Sequence, residues 1–313
     1  MSANILPIVM ARVICTDCST TNTSKIMIAT VHRIFRPRET VNNRNSNGVT
    51  VLMAACERGN KELITLLTES GADLNIGDKD KKWTALHYAV VNHKTDVVAF
   101  LVSSGANVNK QDSGGDTPLH LAVWNKYEDV VKVLLNSKEN NNLQDSVKLD
   151  IANNDKRTPL LEAVYAAHIG IVHKLITCGA NMNAIDKHGN NCLHIAAEKE
   201  EFCSEKEHIT ILDECCAKLG LPTEKRLSGV GVAGYLAHQG ANLYRKNNEN
   251  VAPLDLIGDA DLKEKFKELF PPQKCMLCEV NEASMELQPC AHTVLCEDCS
   301  KINLKDAPSV KHV

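Results

Sequence analysis

The sequence predicts a mainly α-helical protein, a solenoid of short helix pairs followed by a small finger organised by metal. Three observations carry that expectation. A unit recurs through the middle of the chain at 33 or 34 residues wherever it is not interrupted. Aromatic side chains make up only 4% of 313 residues while 43% are hydrophobic, so the core must be filled by Leu, Val, Ile and Ala. Five of the 13 Cys fall between Cys275 and Cys299, beside a His.

Composition bounds the function. A formal charge of -4 leaves no basic excess for a nucleic acid or an anionic membrane surface, and neither partner is expected. The chain holds no run of 18 apolar residues, and its first residues lack a charged lead and a small-residue cleavage site, so membrane insertion is not expected. Clustered Cys in one short segment argue for metal in a reducing compartment, with a cytoplasmic location, over a disulfide framework.

The repeats read "TVLMAACERGNKELITLLTESGADLN" from Thr50, "TALHYAVVNHKTDVVAFLVSSGANVN" from Thr84 and "TPLHLAVWNKYEDVVKVLL" from Thr117. They continue with "TPLLEAVYAAHIGIVHKLITCGANMN" from Thr158, "NCLHIAA" from Asn191 and "APLDLIG" from Ala252. Thr, or its substitute, caps a first helix, and Pro118 and Pro159 sit where a helix needs no N–H. Leu, Ala and Val at i, i+3 and i+4 form the face that stacks on the neighbour. Gly71, Gly105, Gly179 and Gly240 end second helices at a left-handed position. With T-P-L-H-x-A intact from Thr117 to Ala122, these units are identified as ankyrin repeats, spanning residues 47–270.

Departures from the repeat are informative. The Asn-rich stretch near 136–155 is expected to project as a loop. A second insertion near 198–230 contains "EHITILDECCAKLG", whose periodicity predicts an added helix stopped at Gly220. The sixth unit is expected to keep its first helix and then turn charged, as a terminal cap facing water should. Residues 1–46 fit no unit and are read as a poorly ordered lead.

Cys275-x2-Cys278, Cys290-x-His292 and Cys296-x2-Cys299 have the spacing of the first six ligands of a RING-type zinc finger, at 275–299. In that fold the first and third pairs share one Zn2+ while the second pair belongs to another. Cys275, Cys278, Cys296 and Cys299 then make a complete site, and Cys290 and His292 half of a second. The tail, 300–313, offers only Asp306 and His312 as further ligands. An unrelated ribbon with a single zinc is the alternative, and "PCAH" between the two Cys-x2-Cys pairs favours the RING.

Ankyrin repeats followed by C-x-L-C…PC-x-H-x3-C-x2-C resemble the C-terminal part of the Mind bomb family of ubiquitin ligases, in a fragment or shortened form. The resemblance implies a RING-type E3 that binds its target through the repeats and docks a ubiquitin-charged E2 conjugating enzyme, in Notch signalling. It also implies that Leu277, with Met276 and Pro289 nearby, packs on the E2. No covalent catalytic residue is implied, and a homo-oligomer is a further possible assembly. The competing expectation is a non-catalytic ankyrin adaptor with a structural or degenerate finger.

Other signals read as structural. "GVGVAG" at Gly229–Gly234 matches the dinucleotide-binding fingerprint, but no strand precedes it, and a chance match in a loop is expected. His87, His120 and His194 share a repeat position and are expected to bond between adjacent units. Cys15-x2-Cys18 lacks a partner pair, Cys215 and Cys216 read as buried thiols, and Trp83, Trp124 and Tyr127 as packing residues near the partner-facing surface.

Overall fold

In four of the described repeats the first helix begins where a short polar side chain stands before an apolar run and caps it. Thr50 Oγ1 accepts from the Met53 N–H at 3.3 Å, Thr117 Oγ1 from His120 N–H at 3.4 Å and Thr158 Oγ1 from Leu161 N–H at 3.4 Å. Asn191 does the same with its amide oxygen, 3.2 Å from His194 N. Such caps satisfy N–H groups that the helix itself leaves orphaned, worth about 1 kcal/mol each. Pro118 and Pro159 occupy the first helical position, as expected.

The computed structural model describes residues 41–136, 146–203 and 209–272, together with the backbone of strands at 285–287 and 292–295. They belong to two compact units, one up to Asn154 and one from Asp155 onward. In the first, α1 (Val51–Arg58) and α2 (Lys61–Glu69), α3 (Ala85–Val91) and α4 (Thr95–Ser103), and α5 (Pro118–Trp124) and α6 (Glu128–Asn136) form three helix pairs. First helices stack in the order α1, α3, α5, and α4 packs on α6. The core is Leu, Val and Ala: Leu52, Ala55, Leu67, Leu86, Ala89, Leu101, Leu119, Ala122 and Leu134 are almost fully buried. Each buried Leu is worth about 2 kcal/mol, which explains stable packing with so few aromatics.

Asn side chains tie each unit to the next. Asn42 Oδ1 accepts from Asp73 N–H, Asn75 Oδ1 from Asn107 N–H and Asn109 Oδ1 from Lys148 N–H, each at 2.8 Å. Val41 and Asn42 take the register of Val108 and Asn109, and Val41 is 1% exposed. Repeat-like packing therefore starts ahead of residue 47, at Val41. The Asn-rich insertion also differs from the expected loop. Residues 137–145 lie outside the described residues, but Val147 and Leu149 are buried like Ala106 and Val108. Residues 146–154 form the hairpin leading into the next repeat, with Asn154 N–H bonded to Gly114 O at 2.9 Å.

In the second unit α7 (Pro159–Tyr165) pairs with α8 (Ile169–Thr177), and α9 (Cys192–Ala197) packs on α7 and on α11 (Gly229–His238). The insertion supplies the expected helix, α10 (Thr210–Leu219), stopped at Gly220, and it packs on α11 and α12 (Ala260–Leu269). Two expectations fail. "GVGVAG" is not loop but the first part of α11, capped by Ser228 Oγ on Gly231 N–H at 3.2 Å. The sixth unit keeps only a 3-10 turn, Pro253–Leu256, where a full first helix was expected. Its opening residue is Ala252, whose N–H is met instead by Asp255 Oδ2 at 3.1 Å, and the chain leaves the helix at the extended Ile257.

The strands β1 (Met285–Leu287) and β2 (His292–Leu295) pair antiparallel, with Cα partners Met285 and Leu295, Glu286 and Thr293, and Leu287 and His292.

Candidate functional site

The metal ligands expected from spacing meet the described chain only at its backbone. Cys275, Cys278, Cys290, Cys296 and Cys299 lie outside the described residues, as do Met276, Leu277 and Pro289, and of His292 only the backbone is described. The described strands pair antiparallel, and His292 opens β2. Four Cys in two Cys-x2-Cys pairs are a donor set that suits Zn2+.

Elsewhere the chemistry is that of packing. Among the described residues no group of three or more His, Cys, Asp or Glu is placed to hold a metal ion. Cys56, Cys192, Cys215 and Cys216 are buried free thiols. Burial pushes the thiols of Cys56 and Cys192 up to about 12 and that of Cys216 up to about 11, which keeps them protonated and unreactive. Cys15 and Cys18 lie outside the described residues. The glycines of "GVGVAG" face protein and not a phosphate. A Cβ on Gly229 would stand 2.1 Å from Lys199 O and 2.3 Å from Ala196 O, and one on Gly234 2.5 Å from Leu219 Cδ1.

The repeated His do two jobs, of which the sequence suggested one. His87, His120 and His194 accept through Nδ1 from the backbone N–H of the residue that caps their own helix, at 3.1, 3.2 and 3.2 Å. That bond leaves Nε2 to carry the proton. In His194 it donates to Val251 O of the next unit at 3.0 Å, the expected link between units. His87 Nε2 lies toward the carbonyls of Lys110 and Asp116 without a well-directed bond, and burial lowers its pKa to about 4.

The repeat surface is where partners can reach aromatic side chains. Trp124 is 53% exposed and Tyr165 39%, at the same position in their repeats. The Tyr165 ring is held by Arg157, 4.1 Å from its centroid, and Lys199, 4.3 Å. Tyr127 is stacked on His93 at 3.9 Å, and His93 bonds Asp129 at 2.8 Å. Trp83 and Tyr88 line an open cleft between the first two hairpins. Sequence reasoning singled out Trp83 but passed over Tyr88. No described helix is long and apolar enough to cross a membrane.

Comparison with known proteins agrees with these two parts. Family models for ankyrin repeats match residues 24–112, 78–145 and 155–187, and a model described as zinc finger, C3HC4 type (RING finger), matches residues 271–307. Neurogenic locus notch homolog protein 2 of Homo sapiens is 34% identical over 172 residues, covering 50% of this chain and 7% of that protein. E3 ubiquitin-protein ligase MIB2 of Gallus gallus is 27% identical over 168 residues, 39% of this chain and 18% of the ligase. Ankyrin repeat and SOCS box protein 6 of Mus musculus is 28% identical over 143 residues, 45% of this chain and 25% of that protein. The chain therefore spans at most a quarter of the length of these relatives. It is an ankyrin-repeat protein with a C-terminal finger of the C3HC4 RING type, homologous over 39% of its length to the E3 ubiquitin-protein ligase MIB2.

Proposed function

We propose that the chain acts as a RING-type E3 ubiquitin-protein ligase, its repeats binding the target and its finger docking a ubiquitin-charged E2. One observation carries this: a C3HC4 finger match and similarity to a named E3 ubiquitin-protein ligase occur together on a chain of ankyrin repeats. In this reading Cys275, Cys278, Cys296 and Cys299 hold one Zn2+, and Cys290 and His292 contribute to a second. Metal gives shape to a segment too small to fold by apolar burial alone. Leu277, with Met276 and Pro289, forms the apolar contact for the E2. The finger supplies no nucleophile; a thioester held in the right orientation reacts faster with a target lysine because the entropy of alignment is already spent. Buried thiols at Cys56, Cys192, Cys215 and Cys216 suit a reducing compartment, the cytoplasm, and similarity to Notch homolog proteins suits a role in Notch signalling.

A non-catalytic ankyrin adaptor is the second reading, favoured by the higher identity to a Notch homolog protein than to the ligase. Zinc content and autoubiquitination of the purified chain separate the two. Two zinc ions per chain, with ubiquitin conjugates formed in the presence of E1, E2 and ATP, support the ligase. One zinc ion and no E2 binding support the adaptor. Cys275→Ser should release zinc and abolish conjugation while the helical circular dichroism of the repeats persists. Loss of cooperative unfolding across the whole chain in that variant would show that finger and repeats are not separate domains.

A further inference from the structure

Trp83 and Tyr88 meet almost at right angles, with ring centroids 5.5 Å apart and planes at 86°. Both line a cleft of about 570 Å³ that opens to solvent, whose lining also includes Asn47, Val49, Lys79 and Asp80. Each ring is bonded to a carboxylate. Trp83 Nε1 donates to Asp112 Oδ2 at 2.9 Å, and Tyr88 OH donates to Asp78 Oδ2 at 2.8 Å. Such bonds push electron density into the rings and make their faces more attractive to a cation. The remaining oxygens are met by backbone N–H groups, Lys81 on Asp78 and Gly114 and Asp116 on Asp112. Neutral donors therefore hold both carboxylates in place behind the rings.

A cation already responds to this field. The ammonium of Lys81 lies over the Trp83 ring, 4.1 Å from its centroid. Local packing alone would account for Lys81 covering an indole, but it does not account for an open cleft with two rings at right angles and a carboxylate behind each. A free lysine entering the cleft would displace an identical group and gain little. A quaternary ammonium is more weakly hydrated, so it sheds water at lower cost, and its methyl groups can touch both rings at once.

We propose that this cleft binds the trimethylated lysine side chain of an extended partner segment, the faces of Trp83 and Tyr88 receiving the quaternary ammonium in place of Lys81. The inference goes beyond ubiquitin transfer and does not depend on it, since neither the finger nor zinc takes part.

Nuclear magnetic resonance of the full chain tests it, because the two Trp of the sequence give two indole signals and Trp124→Phe assigns them. The probes are Nα-acetyl-Nε-trimethyllysine amide, the unmethylated compound and a neutral tert-butyl isostere. The Trp83 signal should move saturably with the trimethylated probe, and the other two should bind about tenfold more weakly. Lys81→Ala, which removes the resident competitor, should tighten binding a few-fold. Tyr88→Phe, which keeps the ring but loses the bond to Asp78, should weaken it. Circular dichroism should be unchanged in both variants. A static Trp83 signal, either control probe binding as tightly as the trimethylated one, or a Lys81→Ala variant that binds no tighter would overturn the proposal.

Discussion

The second and fifth repeats solve one problem in two ways. In the second, α3 and α4 are joined by a tight turn in which His93 takes a left-handed conformation, φ 51°, and Lys94 N–H bonds Ala89 O at 2.9 Å. In the fifth, the equivalent turn is replaced by residues 198–228, yet α9 still packs on α11. The inserted chain is anchored by its own backbone, Phe202 N–H to Leu227 O at 2.8 Å, and by Phe202, which is 2% exposed. What differs is the use of glycine. Gly105 of the second repeat adopts φ +87°, and a Cβ there would meet nothing within 4 Å, so it serves a backbone angle. Gly229 of the fifth serves space, because two carbonyl oxygens occupy the place a side chain would need. An insertion is tolerated inside a repeat when the returning helix can approach closely enough to rebuild the pair.

The sharpest way to break this comparison is Gly229→Ala. Backbone oxygens at 2.1 and 2.3 Å cannot swing aside as a flexible side chain can, so we expect about 3 kcal/mol or more of destabilisation in urea unfolding. Gly105→Ala strains only the backbone and should cost about 1 kcal/mol. Equal losses would mean that the two glycines do the same work.

Acid should also divide the repeats. An unfolded His takes up a proton near 6.5, whereas buried His87 does so only near 4. Its contribution is full above pH 6.5 and is lost as pH falls toward 4, on the order of 3 kcal/mol across that window. His194 is lowered in the same direction by burial, opposed by its bond to Val251 O. Melting temperature measured against pH should therefore lose more of its acid slope in His87→Gln than in His194→Gln. The smallest expected effect is on the ladder. Asn75→Ala leaves the Asn107 N–H to exposed solvent and should cost about 0.5–1 kcal/mol, matched by Asn183→Ala, whose amide holds Asn242 N–H at 2.9 Å. A much larger cost at either position would show that the ladder, and not apolar stacking, sets repeat stability.

The repeats were legible because each residue in the motif acts on its near neighbours. Thr117, Pro118 and Gly105 do in the structure what local chemistry says they do. Misreadings arose where distant chain supplied the deciding contact. "GVGVAG" looked like loop because glycines weaken an isolated helix, and only the carbonyls of Ala196 and Lys199 explain why they are needed. Val147 and Leu149 were hidden in a polar stretch, and their burial depends on a hairpin bonded to Asn109 and Gly114. For the candidate cleft, Trp83 was visible in sequence, but a right angle with Tyr88 and the carboxylates behind both rings were not.

By itself the amino-acid order determined the repeat period, most helix starts and the left-handed helix ends, all of which follow from residue type at short spacing. Tertiary structure alone decided that His93, Lys126 and Ala167 take left-handed turns without glycine, that an inserted helix packs on α11 and α12, and that two rings face one cleft. The reason is one of range. A cap is made within a few residues, whereas strain can be offset, and a surface assembled, only by groups that folding brings from elsewhere in the chain.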